Sequence, residues 1–229
     1  TSPVPGHFLT IRTSRSSVPL LRRPFGFASY DTDDATASIL YERRGEATRL
    51  LSDMRPSETL DVLAPLGTPF PAPDATRRPV LIGGGIGMGP ILFMAEYYRQ
   101  HQPLVIVGAR TQALLPDFQL LAPEADVHVC TDDGSTGLHG NVLATLDQLV
   151  STEEIKPADM ELFLCGPHAM LHAGAAHAMR TNIPAWVSME QTMGCAVGAC
   201  LGCAVRVEDG YERVCTEGPV FDARRIQWT

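Results

Sequence analysis

Leu81-Ile82-Gly83-Gly84-Gly85-Ile86-Gly87-Met88-Gly89-Pro90 decides how this chain is read. An apolar run over 79–82 enters it with the look of a buried strand, and a helical run over 89–100 leaves it. A glycine-rich turn between strand and helix gathers backbone N–H groups and the positive end of a helix dipole, which suits a diphosphate. Gly84, Gly85 and Gly87 are the residues it offers to a nucleotide. It is not the dinucleotide fingerprint G-x-G-x-x-G: counted from Gly83 the last position is Met88, and from Gly85 it is Pro90. Tight strand–helix packing would explain the same glycines without a ligand.

Outward from this turn the pattern repeats. Apolar strands over 104–107, 126–130, 161–165 and 185–188 alternate with helical runs over 141–150 and 167–180. Strands and helices of these lengths in alternation predict an α/β domain with a parallel, doubly wound sheet. Upstream the character changes to short strands over 8–12, 25–30, 37–43 and 59–63, with one short helix over 48–54. Such spacing predicts an antiparallel β-barrel or sandwich. The visible strands are too few to close a barrel, so its first strands are expected to be missing. From Glu190 onward the chain is rich in Gly and Cys and follows neither pattern. The expected division is therefore 1–78, 79–189 and 190–229.

The length of 229 residues allows one large domain, or two medium ones with an appendage, and 45% hydrophobic residues suffice for real cores. No apolar stretch reaches the ~20 residues a bilayer requires. The first residues, Thr1-Ser2-Pro3-Val4-Pro5-Gly6, lack a signal-peptide layout and a starting Met. A cytoplasmic protein without a membrane partner is expected. The formal charge of −8 argues against nucleic acid, whose phosphates ask for a basic surface. Nearly all the cationic side chains are Arg; Lys156 is the single Lys.

The cysteines are placed unevenly. Cys130 and Cys165 each end an apolar run, where a small buried side chain is the plain reading. Cys195, Cys200, Cys203 and Cys215 crowd into the last sixth of the chain. Without an export signal, such crowding points to metal rather than disulfides. The spacing C-x4-C-x2-C, with Cys215 eleven intervening residues later, is that of plant-type ferredoxins, whose four thiolates hold a 2Fe-2S cluster. Gly194, Gly198 and Gly202 would supply the unusual dihedrals of a loop wrapped around a cluster, and Ala196, Ala199 and Ala204 keep it compact. Zinc on the same four cysteines is an alternative, although such sites favour two C-x2-C pairs; disulfides are another.

Further motifs carry a resemblance. Leu162-Phe163-Leu164-Cys165-Gly166-Pro167-His168 resembles the strand ending in Cys-Gly-Pro that faces the nicotinamide in ferredoxin-reductase-like flavoenzymes, and the glycine-rich turn ending in Pro90 resembles their nucleotide loop. Arg22-Arg23-Pro24-Phe25-Gly26 resembles the Arg-Pro-x-Ser stretch with which that superfamily holds flavin, with Gly26 in place of the hydroxyl residue. Leu40-Tyr41-Glu42 looks like the next flavin-contacting strand, and Gly45-Glu46-Ala47-Thr48 like the Gly-x-Gly-Thr phosphate loop with Ala47 for the second Gly.

Together with Pro5-Gly6-His7-Phe8, Thr131-Asp132-Asp133-Gly134-Ser135 and Val214-Cys215-Thr216-Glu217-Gly218-Pro219-Val220-Phe221, these motifs make the chain similar to the electron-transfer subunits of NAD-linked bacterial dihydroorotate dehydrogenases. The resemblance runs from about Pro5 to Trp228. It implies an oxidoreductase subunit with FAD on 1–78, NAD on 79–189 and the 2Fe-2S cluster on 190–229. Arg23, Pro24, Phe25, Gly26, Leu40, Tyr41, Glu42, Ala47 and Thr48 would then hold FAD. Gly84, Gly85, Gly87, Gly166 and Pro167 would hold NAD, Cys165 would face the nicotinamide, and Cys195, Cys200, Cys203 and Cys215 would ligate iron. The implied partner is an FMN-containing catalytic subunit that oxidises dihydroorotate in pyrimidine biosynthesis, in a heterotetramer with two copies of each chain. Small flavin–iron–sulfur subunits of ferredoxin–NADP transhydrogenases or sulfide dehydrogenases share this layout, and a non-enzymatic zinc-binding module is the alternative of another kind. His168, His172 and His177 on one predicted helix read as packing or surface residues, and Arg110 leaves NAD against NADP open.

Overall fold

The computed structural model describes residues 1–14, 16–152 and 156–228. The N-terminal region is a four-stranded antiparallel sheet made of β1 (Phe8–Arg12), β2 (Arg23–Tyr30), β3 (Ala37–Ile39) and β4 (Asp61–Leu66), with α1 (Glu46–Ser52) between the last two. The sheet order is β3-β2-β1-β4. Leu9 and Ile11 of β1 alternate with Phe8 and Thr10, so β1 sends Leu9 and Ile11 into a small core with Phe25, Phe27 and Leu51, and Phe8 into the main core. β3 stops at Ile39, short of the expected 43, because Leu40 turns out of the sheet onto Gly89, where a Cβ would lie 3.0 Å from it. β4 runs from 61 rather than 59, lies at the edge, is largely exposed, and tolerates Pro65 there.

The second sheet has seven strands. β5 (Arg78–Gly84) is followed by α2 (Met88–Tyr97), β6 (Leu104–Ala109), α3 (Phe118–Leu121), β7 (Val127–Thr131), β8 (Leu138–His139), α4 (Val142–Thr152), β9 (Met160–Cys165), α5 (His168–Thr181) and β10 (Ala185–Ser188). Alternate residues serve opposite faces. Val80, Ile82, Leu104, Ile106, Leu162 and Leu164 face α4 and α5, while Leu81, Val105, Val107 and Phe163 face α2 and α3. This is the doubly wound arrangement that near-continuous apolar strands require, since both faces must be covered. Each fully buried Leu, Ile or Phe contributes about 1.5–3 kcal/mol.

Helix α2 is buried from Met88 to Ala95 because two sheets clasp it. Its Phe93 belongs to the small core of the first sheet, and its other apolar residues to the core of the second. Gly26 answers to the same contact: a Cβ there would sit 2.6 Å from Cγ of Pro90. The missing hydroxyl at Gly26 is thus the consequence of a proline ring pressed against β2.

The tail does join a pattern. β11 (Ala204–Val207) and β12 (Gly210–Arg213) form a hairpin whose Val205 and Val207 point inward, closed by the two-residue turn Glu208-Asp209. β13 (Val220–Asp222) then pairs antiparallel with β10, making the order β13-β10-β9-β5-β6-β7-β8. Among the described residues no helix is long and apolar enough to cross a membrane.

Candidate functional site

The parallel strands end on one rim, the place where open α/β sheets bind ligands. Gly83 of β5 is paired with Cys165 of β9, so the glycine turn and the Cys-Gly-Pro motif are direct neighbours. Contact is closer still at Gly87, where a Cβ would lie 2.4 Å from the carbonyl oxygen of Cys165 and 2.6 Å from the nitrogen of Gly166. Gly85 has a φ of +54° and open space around it, so its glycine is a matter of backbone conformation rather than room. Gly84 and Gly166 both face the side chain of Met170 on α5, and Pro167 caps the start of that helix.

Burial pushes the Cys165 thiol up to about 12, the hydroxyl of Ser188 pulling weakly the other way and the charge of Glu190 adding to the rise. Cys165 is therefore a neutral, buried thiol at the C-terminal end of β9. Ser188 and Glu190 are neighbours of Cys165 that the sequence reading left unmarked; their place at the end of the last parallel strand is the signal that could have found them. On the other side of β5, Thr131-Asp132-Asp133-Gly134-Ser135 is held by N–H of Asp132 donating to the carbonyl of Ala109 (3.0 Å) and by N–H of Gln112 donating to Oγ of Ser135 (2.8 Å). Arg110 lies close to Glu42, whose carboxyl is held below the usual range mainly by the hydrogen bond from Arg44, with a smaller share from Arg110.

The residues expected at the flavin lie on and beside the first sheet. Arg23 and Pro24 open β2, and Nη1 of Arg23 donates to the carbonyl of Leu21 at 2.6 Å. Phe25 is buried, its ring edge-on to Tyr41 with centroids 5.9 Å apart. Leu40 packs on α2, and Glu42 is paired with Arg44 at 2.6 Å. Ala47 is buried inside α1, where φ is negative, so replacing a glycine there costs nothing. Oγ1 of Thr48 accepts from the N–H groups of Arg44 (3.0 Å) and Gly45 (3.1 Å), shaping the turn before the helix.

Elsewhere, His172 stacks on Trp228 at 5.4 Å and His168 meets the same ring edge-on at 5.5 Å, a packing role for both. His177 approaches Asp147 at 3.8 Å. Cys130 is buried, with Sγ 3.6 Å from the carbonyl of Val107.

The four clustered cysteines lie in two neighbouring contacts, Cys195 with Cys200 and Cys203 with Cys215. Sγ of Cys195 accepts from the N–H groups of Val197 (3.5 Å), Ala199 (3.2 Å) and Cys200 (3.4 Å). These donors, Val197 first, lower the Cys195 thiol to about 6 and favour the thiolate, the form that binds metal. Cys200 also bonds the Cys195 sulfur, and Cys203 bonds that of Cys215, whose thiol burial pushes up to about 11. A single zinc draws its ligands to one point, whereas a binuclear cluster takes thiolates two to an iron. Side-chain contacts join Cys195 to Cys200 and Cys203 to Cys215.

Glycine has a different part in this loop from the expected one. Only Gly198 takes positive φ (+82°); the other two left-handed positions are Ala196 (+60°) and Leu201 (+58°). Gly194 instead leaves room for Sγ of Cys200, which a Cβ would approach to 3.2 Å, while at Gly202 a Cβ would make only an ordinary 3.6 Å contact with that sulfur. A left-handed Leu costs about 1–2 kcal/mol, and strain of this kind gathers at functional sites.

Residues 190–227 match the family model for the iron-sulfur cluster binding domain of dihydroorotate dehydrogenase B. The chain is 37% identical to the electron transfer subunit of dihydroorotate dehydrogenase B (NAD(+)) of Geobacillus kaustophilus, over 97% of this chain and 86% of that protein. Identity to the subunit of the same name from Desulforamulus reducens is 32%, over 98% and 87% of the two chains. Among solved structures, an NADH-dependent reduced ferredoxin-NADP oxidoreductase described for flavin-based electron bifurcation superposes with a TM-score of 0.85 at 25% identity, over 99% of this chain and 80% of that one.

Proposed function

Because the chain belongs to the family of electron-transfer subunits of NAD-linked dihydroorotate dehydrogenase B, we propose that it passes electrons from a dihydroorotate-oxidising partner subunit through a 2Fe-2S cluster and FAD to NAD+. The cluster, when bound, exchanges single electrons, and the flavin converts them to the hydride that nicotinamide needs. Two close thiol pairs on a strained loop carry this reading. Cys195 and Cys200 would serve one iron, and Cys203 and Cys215 the other. Arg23, Tyr41 and Thr48 would hold the flavin against α2, and the turn at Gly84, Gly85 and Gly87 would receive the NAD diphosphate opposite the neutral thiol of Cys165. Region 1–78 is then the flavin domain, 79–189 the NAD domain and 190–229 the cluster subdomain.

The partner would dock where the cluster comes nearest the surface. Val197, Leu201 and Tyr211 are 54%, 64% and 73% exposed around the cysteine loop, and apolar residues grouped at a surface mark an interface. The occupant is the FMN-containing catalytic subunit, with one copy of this chain to each, in a heterotetramer.

The test is to purify the chain with and without that subunit. Alone, it should carry electrons from NADH to artificial acceptors and leave dihydroorotate untouched; with the subunit it should couple dihydroorotate to NAD+. Val197→Glu should weaken assembly and spare the NADH-driven partial reaction. Dihydroorotate oxidation by the isolated chain, or normal assembly of the Glu variant, would overturn the arrangement.

A further inference from the structure

Between the third and fourth cysteines one side chain ties two segments together. Arg213 ends β12 and lies two residues before Cys215. Its Nη1 donates to the carbonyl of Gly198, in the middle of the cysteine loop, at 2.9 Å. Its Nε donates to Glu217 Oε2 at 2.9 Å, its backbone N–H to the same oxygen at 2.7 Å, and its Nη2 to Glu217 Oε1. The carbonyl of Arg213 in turn accepts from the N–H groups of Thr216, Glu217 and Gly218 at 3.2, 3.0 and 3.2 Å, closing the turn that carries Cys215. A Cβ on Gly198 would stand 2.9 Å from Thr216 Cγ2 and 3.1 Å from Arg213 Nη1, so the loop is fitted to this cation. Arg213 pairs with Ala204, the residue after Cys203, across the hairpin, and the N–H of its neighbour Val214 donates to the carbonyl of Cys203 at 3.0 Å, so Arg213 stands beside both Cys203 and Cys215.

We propose that Arg213 is a positioning residue for the cluster: it clamps the 195–203 loop to the Cys215 turn and, as a cation beside Cys203 and Cys215, raises the reduction potential, with Glu217 offsetting part of that charge. This rests on the cluster reading above. Reduction adds a negative charge to a centre already anionic through its four thiolates, so a nearby fixed cation favours the reduced form and a nearby carboxylate opposes it; charge and hydrogen bonds close to the sulfurs are the protein's levers on potential. Arg213 therefore acts with Glu217 as a unit. Removing the guanidinium alone leaves a carboxylate uncompensated beside the cluster.

The experiment is a redox titration of the cluster-loaded complex, followed by electron paramagnetic resonance, after iron and sulfide have been counted. Arg213→Gln should lower the midpoint potential, Glu217→Gln should raise it, and the double variant should return most of the way to the starting value. Arg213→Lys should keep most of the potential while changing the spectrum, because an ammonium retains the charge and loses the fork that spans Gly198 and Glu217. If Arg213→Gln fails to load a cluster, the sign of the Glu217→Gln shift decides alone. Midpoints of Arg213→Gln and Glu217→Gln that match the unmodified protein would overturn the proposal, as would a Glu217→Gln shift to lower potential. A protein without iron would instead overturn the cluster reading on which it stands.

Discussion

Gly87→Ala separates two reasons for glycine in the turn after β5. A Cβ at Gly87 would lie 2.4, 2.5 and 2.6 Å from the carbonyl oxygen and carbon of Cys165 and the nitrogen of Gly166. That is about 1 Å inside the ~3.5 Å at which nonbonded atoms rest. The obstructing atoms are backbone, and β9 is held in register by β5 on one side and β10 on the other, so it has little freedom to retreat. Overpacking of this kind costs about 1–3 kcal/mol. In a chain of this length each kcal/mol lowers Tm by roughly 2–4 °C, and calorimetry of the cofactor-loaded protein should show a fall of roughly 2–12 °C. The shift also parts the glycine turn from Cys165-Gly166, so NADH affinity measured by titration should drop about tenfold or more, equivalent to ~1.4 kcal/mol. Gly85→Ala is the comparison: nothing lies within 4 Å, and its φ of +54° makes the penalty one of conformation, about 1–2 kcal/mol, without moving Cys165. An unchanged Tm and NADH affinity for Gly87→Ala would refute the argument, and so would a smaller loss of affinity than for Gly85→Ala.

Other substitutions probe the remaining parts. Cys200→Ala should abolish the cluster and electron flow from the partner while leaving the α/β sheet intact, as read by iron and sulfide content beside circular dichroism; one zinc and no iron in the unmodified protein would contradict it. Arg23→Ala should loosen flavin by about 1.5–3 kcal/mol, the range for a charge-assisted contact, and flavin retained in full after extensive dialysis would count against that placement. Cys165, pushed up to about 12 by burial, should resist alkylation through pH 10, as followed by peptide mass spectrometry. Its folded value lies above the ordinary thiol value, so the folded state holds the proton longer than the unfolded chain, and this contribution to stability is lost as pH climbs from about 9 towards 12. Rapid alkylation of native protein at pH 9 would speak against a sealed thiol.

The α/β region was legible because its code is local and repeated. Val80-Leu81-Ile82 and Leu162-Phe163-Leu164 are apolar at every position, which only a strand covered on both faces asks for. Cysteine spacing was legible for a similar reason, since one short loop carries three of the four clustered cysteines. Strand ends shifted where tertiary contact intervened, as at Ile39, where Leu40 leaves the sheet for α2.

What tertiary structure decided lies between residues far apart in sequence. A run as short as Val220-Phe221-Asp222 has no periodicity to read, and it becomes a strand only because β10 presents an open edge. Gly26 looked like a lost hydroxyl, but the ring of Pro90, 64 positions onward, occupies the space. Gly194 looked like a backbone hinge; it is a clearance for a sulfur, and the left-handed turns besides that of Gly198 fell to Ala196 and Leu201 because the fold around them supplies the strain energy. Sequence specifies which residue types are available and how often they recur; which surfaces meet, and therefore what a glycine or an arginine is for, is settled only when separate segments close on one another.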